Sequence, residues 1–148
     1  QGFAGDGNDQ DAREDMFASQ TASYNDNRLV GTAATTATSN FTSAHPLYRR
    51  IAELARMRLT SPALRRGTTV LRATEDSPGL LAFSRILNGI EVLVAFNTSG
   101  QAIERNIVVE TRSGRFTALA GICPATASAS GSARISLPPF GYAVCNAR

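Results

Sequence analysis

This chain of 148 residues has no lysine and no tryptophan, a single histidine and only two cysteines. Each shortage closes off a class of function. Every basic residue is an arginine, and apart from Arg49-Arg50 and Arg65-Arg66 they are scattered, with no aromatic interleaving. That is not the footprint of a nucleic-acid surface, so no nucleic acid is expected as a partner. His45 and two distant cysteines make no four-ligand zinc pattern. No run is long and apolar enough to cross a bilayer as a helix, and no membrane partner is expected. The length suits one globular domain, or a smaller one with an appendage, and falls well short of the about 250 residues of a complete (α/β)8 barrel. Gln1-Gly2-Phe3, with neither Met nor signal peptide, reads as the interior of a longer protein.

What is present is unevenly distributed. Residues 1–15 carry five acids and one Arg, a net charge of −4, whereas residues 16–148 carry fourteen Arg against seven acids, a net charge of +7. Residues 1–17 read as a loop. Residues 18–44, rich in Ala, Thr, Ser and Asn, read as irregular, with a turn near Asn25-Asp26-Asn27; such composition buries little by itself. A helix follows. Pro46 suits the first helical turn, Ser43 or His45 can cap it, and Leu47, Ile51, Leu54, Ala55 and Leu59 recur at helical spacing as one apolar stripe. Arg49, Arg50, Glu53 and Arg56 take the opposite side, and Pro62 ends the helix. The stripe requires a cover: the β-rich remainder of the chain, a second copy, or a separate barrel chain.

From residue 67 the signals are β. Seven strands are expected, at Thr68–Ala73, Leu80–Ile86, Ile90–Asn97, Ile103–Val109, Phe116–Ala120, Ala133–Leu137 and Gly141–Cys145. Asn88-Gly89 marks a two-residue hairpin, and alternation in Ile90, Val92, Val94 and Phe96 places one face of the third strand in a core. The spacing suits an antiparallel Greek-key β-sandwich. The fold class is therefore mainly β, preceded by a loop region and one helix.

Three stretches carry a resemblance to a known family. Gln1-Gly2-Phe3 is similar to the end of the segment Tyr-x-Gly-Asp/Glu-Glu-x-Gly that follows the eighth barrel strand of the α-amylase family, glycoside hydrolase family 13. Asp11-Ala12-Arg13-Glu14-Asp15-Met16-Phe17 resembles that family's loop Asp-x-x-Arg-x-Pro-Met-x-Trp, departing from it at Asp15 and Phe17. His45-Pro46-Leu47 through Pro62-Ala63-Leu64-Arg65-Arg66-Gly67 resembles the last barrel helix and its exit into the C-terminal domain. The resemblance implies residues 1–64 as a remnant of the catalytic barrel and 65–148 as the C-terminal β-sandwich domain. It implies a parent enzyme that hydrolyses or transfers α-glucosidic bonds with retention, using an Asp nucleophile, a Glu acid/base about 5 Å away and a second Asp. All three carboxylates would lie upstream, so no catalytic residue is assigned here and the fragment alone is expected to be inactive. Its partners would be the upstream barrel or a second copy, through the helix at 46–61, with α-glucan as the parent's substrate.

Asp9, Asp11, Glu14 and Asp15 form the other chemistry-bearing cluster. A glycosidase pair must flank a sugar in a walled cleft, and Arg13 falls where the helix-loop-helix calcium pattern needs an oxygen. A solvated loop is the simpler reading; no cofactor is assigned to this chain, and calcium belongs at most to the parent. Asp11 and Arg13 are the candidate substrate contacts, Arg13 through a planar guanidinium that can fork onto hydroxyls or simply hold Asp11. Cys123 and Cys145 read either as a disulfide, which implies a periplasmic or secreted parent, or as two separate buried thiols. Asn40-Phe41-Thr42 and Asn97-Thr98-Ser99 fit glycosylation sequons. A different class of function, a stand-alone carbohydrate-binding or interaction module, is the alternative. It suffers from the absent tryptophan, since such modules present aromatic platforms to sugar rings.

Overall fold

The computed structural model describes residues 16–21 and 28–148, and the chain divides into two compact units, residues 1–56 and 57–148. The acidic cluster, the Asp11 and Arg13 contacts and the turn expected at Asn25–Asn27 lie outside the described residues.

In the first unit a short turn closes between Arg28 and Thr35, which bridge in antiparallel fashion, with Gly31 at φ 81°. Buried Asn40 ties this segment together. Its amide group donates to the carbonyls of Thr35 and Thr38 at 3.0 and 3.1 Å, and its backbone N–H donates to Met16 O at 2.7 Å. The segment is irregular, as its composition suggests, yet it buries Leu29, Thr36 and Asn40. Helix α1 runs Pro46–Thr60. His45 caps it, its Nδ1 accepting the Leu47 N–H at 3.2 Å. Arg58 sits in its last turn, where a cation complements the helix dipole.

The second unit holds a helix not expected from the sequence, α2 at Pro62–Arg66. Pro62 stops α1 by lacking an N–H and, for the same reason, starts α2, where that N–H would have no partner. Seven strands follow: β1 Thr68–Ala73, β2 Leu80–Leu87, β3 Ile90–Asn97, β4 Ile103–Val108, β5 Phe116–Gly121, β6 Ser132–Leu137 and β7 Tyr142–Ala147. They form a five-stranded sheet in the order β1-β2-β3-β7-β5 and a two-stranded sheet β4-β6, with every pairing antiparallel. From β3 onward each connection crosses between the sheets. Asn88 (φ 50°) and Gly89 (φ 76°) make the β2–β3 hairpin turn, the left-handed pair that the Asn-Gly signal requires.

The main core lies between the sheets. It is built from Leu80, Leu93 and Phe116 on one side and Ile103, Ile107, Ile135 and Leu137 on the other. A smaller cluster occupies the opposite face of the larger sheet, where Val92, Val94 and Val144 are buried with Ala63 of α2, and Met57, Phe83, Phe96 and Tyr142 pack around them. The alternation read in β3 therefore marks this smaller cluster; the larger core uses the other side of the strand, Leu93 and Ala95. Central β3 is buried on both faces, which a search for one apolar face cannot reveal.

Candidate functional site

The outer face of the five-stranded sheet is the first candidate. Helix α2 lies against β2 and β3, and a groove of about 410 Å³ beside it is lined by residues including Ala63, Arg66, Leu87, Ile90, Val92 and Leu119. Met57 reaches into the cluster under this face. No residue of α1 is buried, and Ile51, Leu54 and Leu59 are 67, 37 and 64 % exposed. Met57 is the α1 residue that packs against this cluster.

The second candidate is a buried polar cluster at the hairpin end of the main core. Glu91 Oε1 accepts from Arg72 Nη2 at 2.9 Å and from Ser84 Oγ; Oε2 accepts from the Glu110 N–H at 3.0 Å and from Ser113 Oγ at 2.5 Å. Arg72 also donates to Ser84 Oγ at 2.8 Å and Glu110 Oε1 at 2.6 Å. Burial alone would push the Glu91 carboxyl up. The hydrogen bonds from Ser113, Ser84 and the Glu110 N–H, with the Arg72 charge, outweigh it and hold the group below its ordinary value. A carboxylate with both oxygens satisfied and its proton disfavoured is a poor general acid or base. Its chemistry is that of a clamp, fastening β1, β2 and β3 to the turn at Glu110–Ser113.

The remaining residues singled out in the sequence have structural tasks. Cys123 and Cys145 are joined, their Cα atoms 5.8 Å apart, which ties the β5–β6 connection to β7. Asn97 is buried and fully engaged: its Nδ2 donates to Gln101 O at 2.6 Å and Pro138 O at 2.8 Å, and its Oδ1 accepts from the N–H and the hydroxyl of Ser99. Asn40 is similarly spent on Thr35 and Thr38. In the folded chain neither sequon offers a free amide nitrogen. Among the described residues no group of three or more His, Cys, Asp or Glu is placed to hold a metal ion.

The antiparallel sheet-on-sheet arrangement recurs in solved structures. The debranching enzyme from Nostoc punctiforme superposes with a TM-score of 0.57 at 23% identity, over 68% of this chain and 21% of that one. A cyclomaltodextrin glucanotransferase with a three-domain ABC distribution superposes with a TM-score of 0.59 at 25% identity, over 80% and 26%. The family model of the maltogenic amylase C-terminal domain matches residues 69–144. The chain belongs to the maltogenic amylase C-terminal domain family. It is a C-terminal portion of the α-amylase kind, as the resemblance in its first 67 residues implies. An alpha-amylase from Streptomyces lividans is 46% identical over 102 residues, and this chain spans 11% of that relative. The match to the maltogenic amylase C-terminal domain takes in β1 to the middle of β7, and with them Arg72, Glu91 and Asn97. Helices α1 and α2 lie outside it. The Glu91 cluster escaped the sequence reading because its members are spread over 42 positions and only the fold brings them together; an acid inside the alternating β3 pattern was the one available hint.

Proposed function

We propose that this chain is the C-terminal part of an enzyme acting on α-glucans by hydrolysis or glucosyl transfer, and that its own part is structural. In this reading residues 1–64 complete the catalytic barrel, 65–148 form the domain that seals it, and the catalytic carboxylates belong to the upstream segment. The observation that carries the reading is the half-covered helix. Met57 is anchored in the outer cluster of the sheet, while Ile51, Leu54 and Leu59 stand exposed. A bare stripe of this kind forfeits roughly 1.5–3 kcal/mol for each large side chain left in water. The upstream barrel is the cover that matches the family, and a second copy is the substitute when the barrel is missing. Asp11 and Arg13 are the proposed substrate contacts of the barrel mouth. The disulfide supports a periplasmic or secreted parent, because such bonds persist in oxidising compartments.

The test uses both lengths of protein. In the full-length enzyme, Ile51→Glu with Leu54→Glu should lower the thermal midpoint by several degrees; in the 148-residue chain the same pair should leave the unfolding of the β-domain unchanged. Unaltered midpoints in the full-length enzyme would overturn the anchoring role. The mass-verified 148-residue chain should release no reducing sugar from maltoheptaose, and sustained turnover would show that the catalytic groups are not upstream.

A further inference from the structure

Asn88-Gly89 is the one Asn-Gly pair in the chain, and making the hairpin turn does not exhaust its chemistry. Asn88 is exposed, and among the described residues neither its side-chain amide nor the Gly89 N–H takes part in a hydrogen bond. Gly89 has no Cβ to screen its nitrogen. The surroundings of the pair are one-sided in charge. Asn88 lines the groove beside α2 together with Arg66, and Gly89 lines a second hollow of about 250 Å³ with Arg112 and Arg148; no acid lines either one. The two hollows share Ile90 and Asn146, so the hairpin tip stands between them. The Arg112 guanidinium lies directly on the turn, since a Cβ built on Gly89 would come 2.5 Å from its Nη1. Among the described residues Arg66, Arg112 and Arg148 form no ion pair: Glu75, Glu91, Glu104 and Glu110 are taken by Arg72, Arg105 and Arg134, and Asp76 lies in the connection from β1 to β2.

We propose that Asn88 is a site of self-modification, at which the chain exchanges a side-chain amide for a carboxylate that Arg112 then holds. Water is the only co-reactant. The Gly89 main-chain nitrogen gives up its proton and attacks Cγ of Asn88. A C–N bond forms there, the amide nitrogen leaves as ammonia with that proton, and a cyclic imide joins the two residues. Water then adds to one imide carbonyl and the C–N bond on that side opens. The product is aspartate, or isoaspartate with the main chain running through the side-chain carbons. No side chain crowds the attacking nitrogen, and the neighbouring guanidinium favours its anionic form. The attack requires Asn88 to leave its left-handed turn conformation. Such an opening is local, because Leu87 and Ile90 are the nearest paired residues and the tip covers no core. The product suits the same place: Asp-Gly is, like Asn-Gly, a pair that this hairpin turn accepts. The new charge lies against Arg112, a charge-assisted contact where the amide had none. The rim of the groove, with no acid before, then carries a carboxylate at its hairpin end, which changes the charge that the outer face of the sheet presents.

The test is incubation of the 148-residue chain at mildly alkaline pH, native and urea-unfolded, followed by ion exchange and peptide mass spectrometry. The native chain should acquire a form whose formal net charge falls from +3 to +2, with the added mass of an amide turned acid confined to the peptide that holds Asn88. Its conversion should run no more than about tenfold slower than that of the unfolded chain, because loop tips open at little cost. Asn88→Gly keeps a Gly-Gly pair that the turn accepts, lacks the amide, and should show no such form. The part of Arg112 is read separately by NMR. In Asn88→Asp the new carboxyl should titrate below the ordinary aspartate range, and it should move back towards that range in Asn88→Asp/Arg112→Gln. A native chain that stays unconverted, or converts more slowly than that limit, would overturn the proposal. So would the same new form in Asn88→Gly, or an Asn88→Asp carboxyl that titrates alike with and without Arg112. None of these results depends on the activity of the parent enzyme.

Discussion

Arg72 and Glu91 meet at 2.9 Å inside the β-domain, with side chains 9 % and 1 % exposed. Arg72 sits at a register shift in β1, between Leu71 and Ala73, and the irregularity turns its guanidinium inward. A buried pair of this kind is held by what surrounds it. Ser84, Ser113 and the Glu110 N–H satisfy the carboxylate, and Glu110 shares the guanidinium with it.

Removing one partner should therefore be severe. Glu91→Ala leaves Arg72 charged, buried and short of its main acceptor, a loss of about 3–5 kcal/mol. Glu91→Gln keeps the shape and part of the hydrogen bonding and should cost less. Urea unfolding of the 148-residue chain measures both, and a Glu91→Ala loss under 1 kcal/mol would show that the clamp carries little of the stability.

The same group sets an acid limit. The Glu91 carboxyl is held below its ordinary value of 4.5, so the folded chain binds fewer protons than the unfolded one across that interval. Its contribution is fully present above the unfolded value and is lost as pH falls through the folded one. The thermal midpoint should thus be flat from neutral to about pH 5.5 and fall below about pH 4.5. Glu91→Gln should flatten that fall, and an identical acid profile in the two proteins would contradict the assignment. Glu104, also lowered by its hydrogen bond and charge contact with Arg134, is fully exposed and should add little.

Opening the Cys123–Cys145 bond should loosen the connection between β5 and β6 first. The bond closes a segment with a sequence separation of 22, and its loss should cost about 2–4 kcal/mol. Because Cys145 is fully buried on β7, reductant should act slowly on the native chain and quickly in mild denaturant. Thermal unfolding with and without reductant, compared with Cys123→Ala/Cys145→Ala, checks both statements. Equal midpoints would show that the core holds this connection unaided.

Much of this molecule was legible before its structure. The seven strands were readable within two residues at each end, because alternation, Asn88-Gly89 and the Gly and Pro punctuation are local signals. Pro46 and Pro62 bounded α1 for the same reason. The family, too, was written in short motifs and their order. What the tertiary structure alone decided is which residues face each other. It made β3 a strand buried on both faces and put the larger core on the side that alternation did not mark. It gathered Arg72, Ser84, Glu91, Glu110 and Ser113 into one cluster. It spent Asn40 and Asn97 on carbonyls, and it turned Phe140 outward on a strained backbone at φ 53°. Local propensity depends on neighbours in sequence, whereas burial, pairing of charges and strain depend on neighbours in space, and those are chosen only when the sheets close on one another.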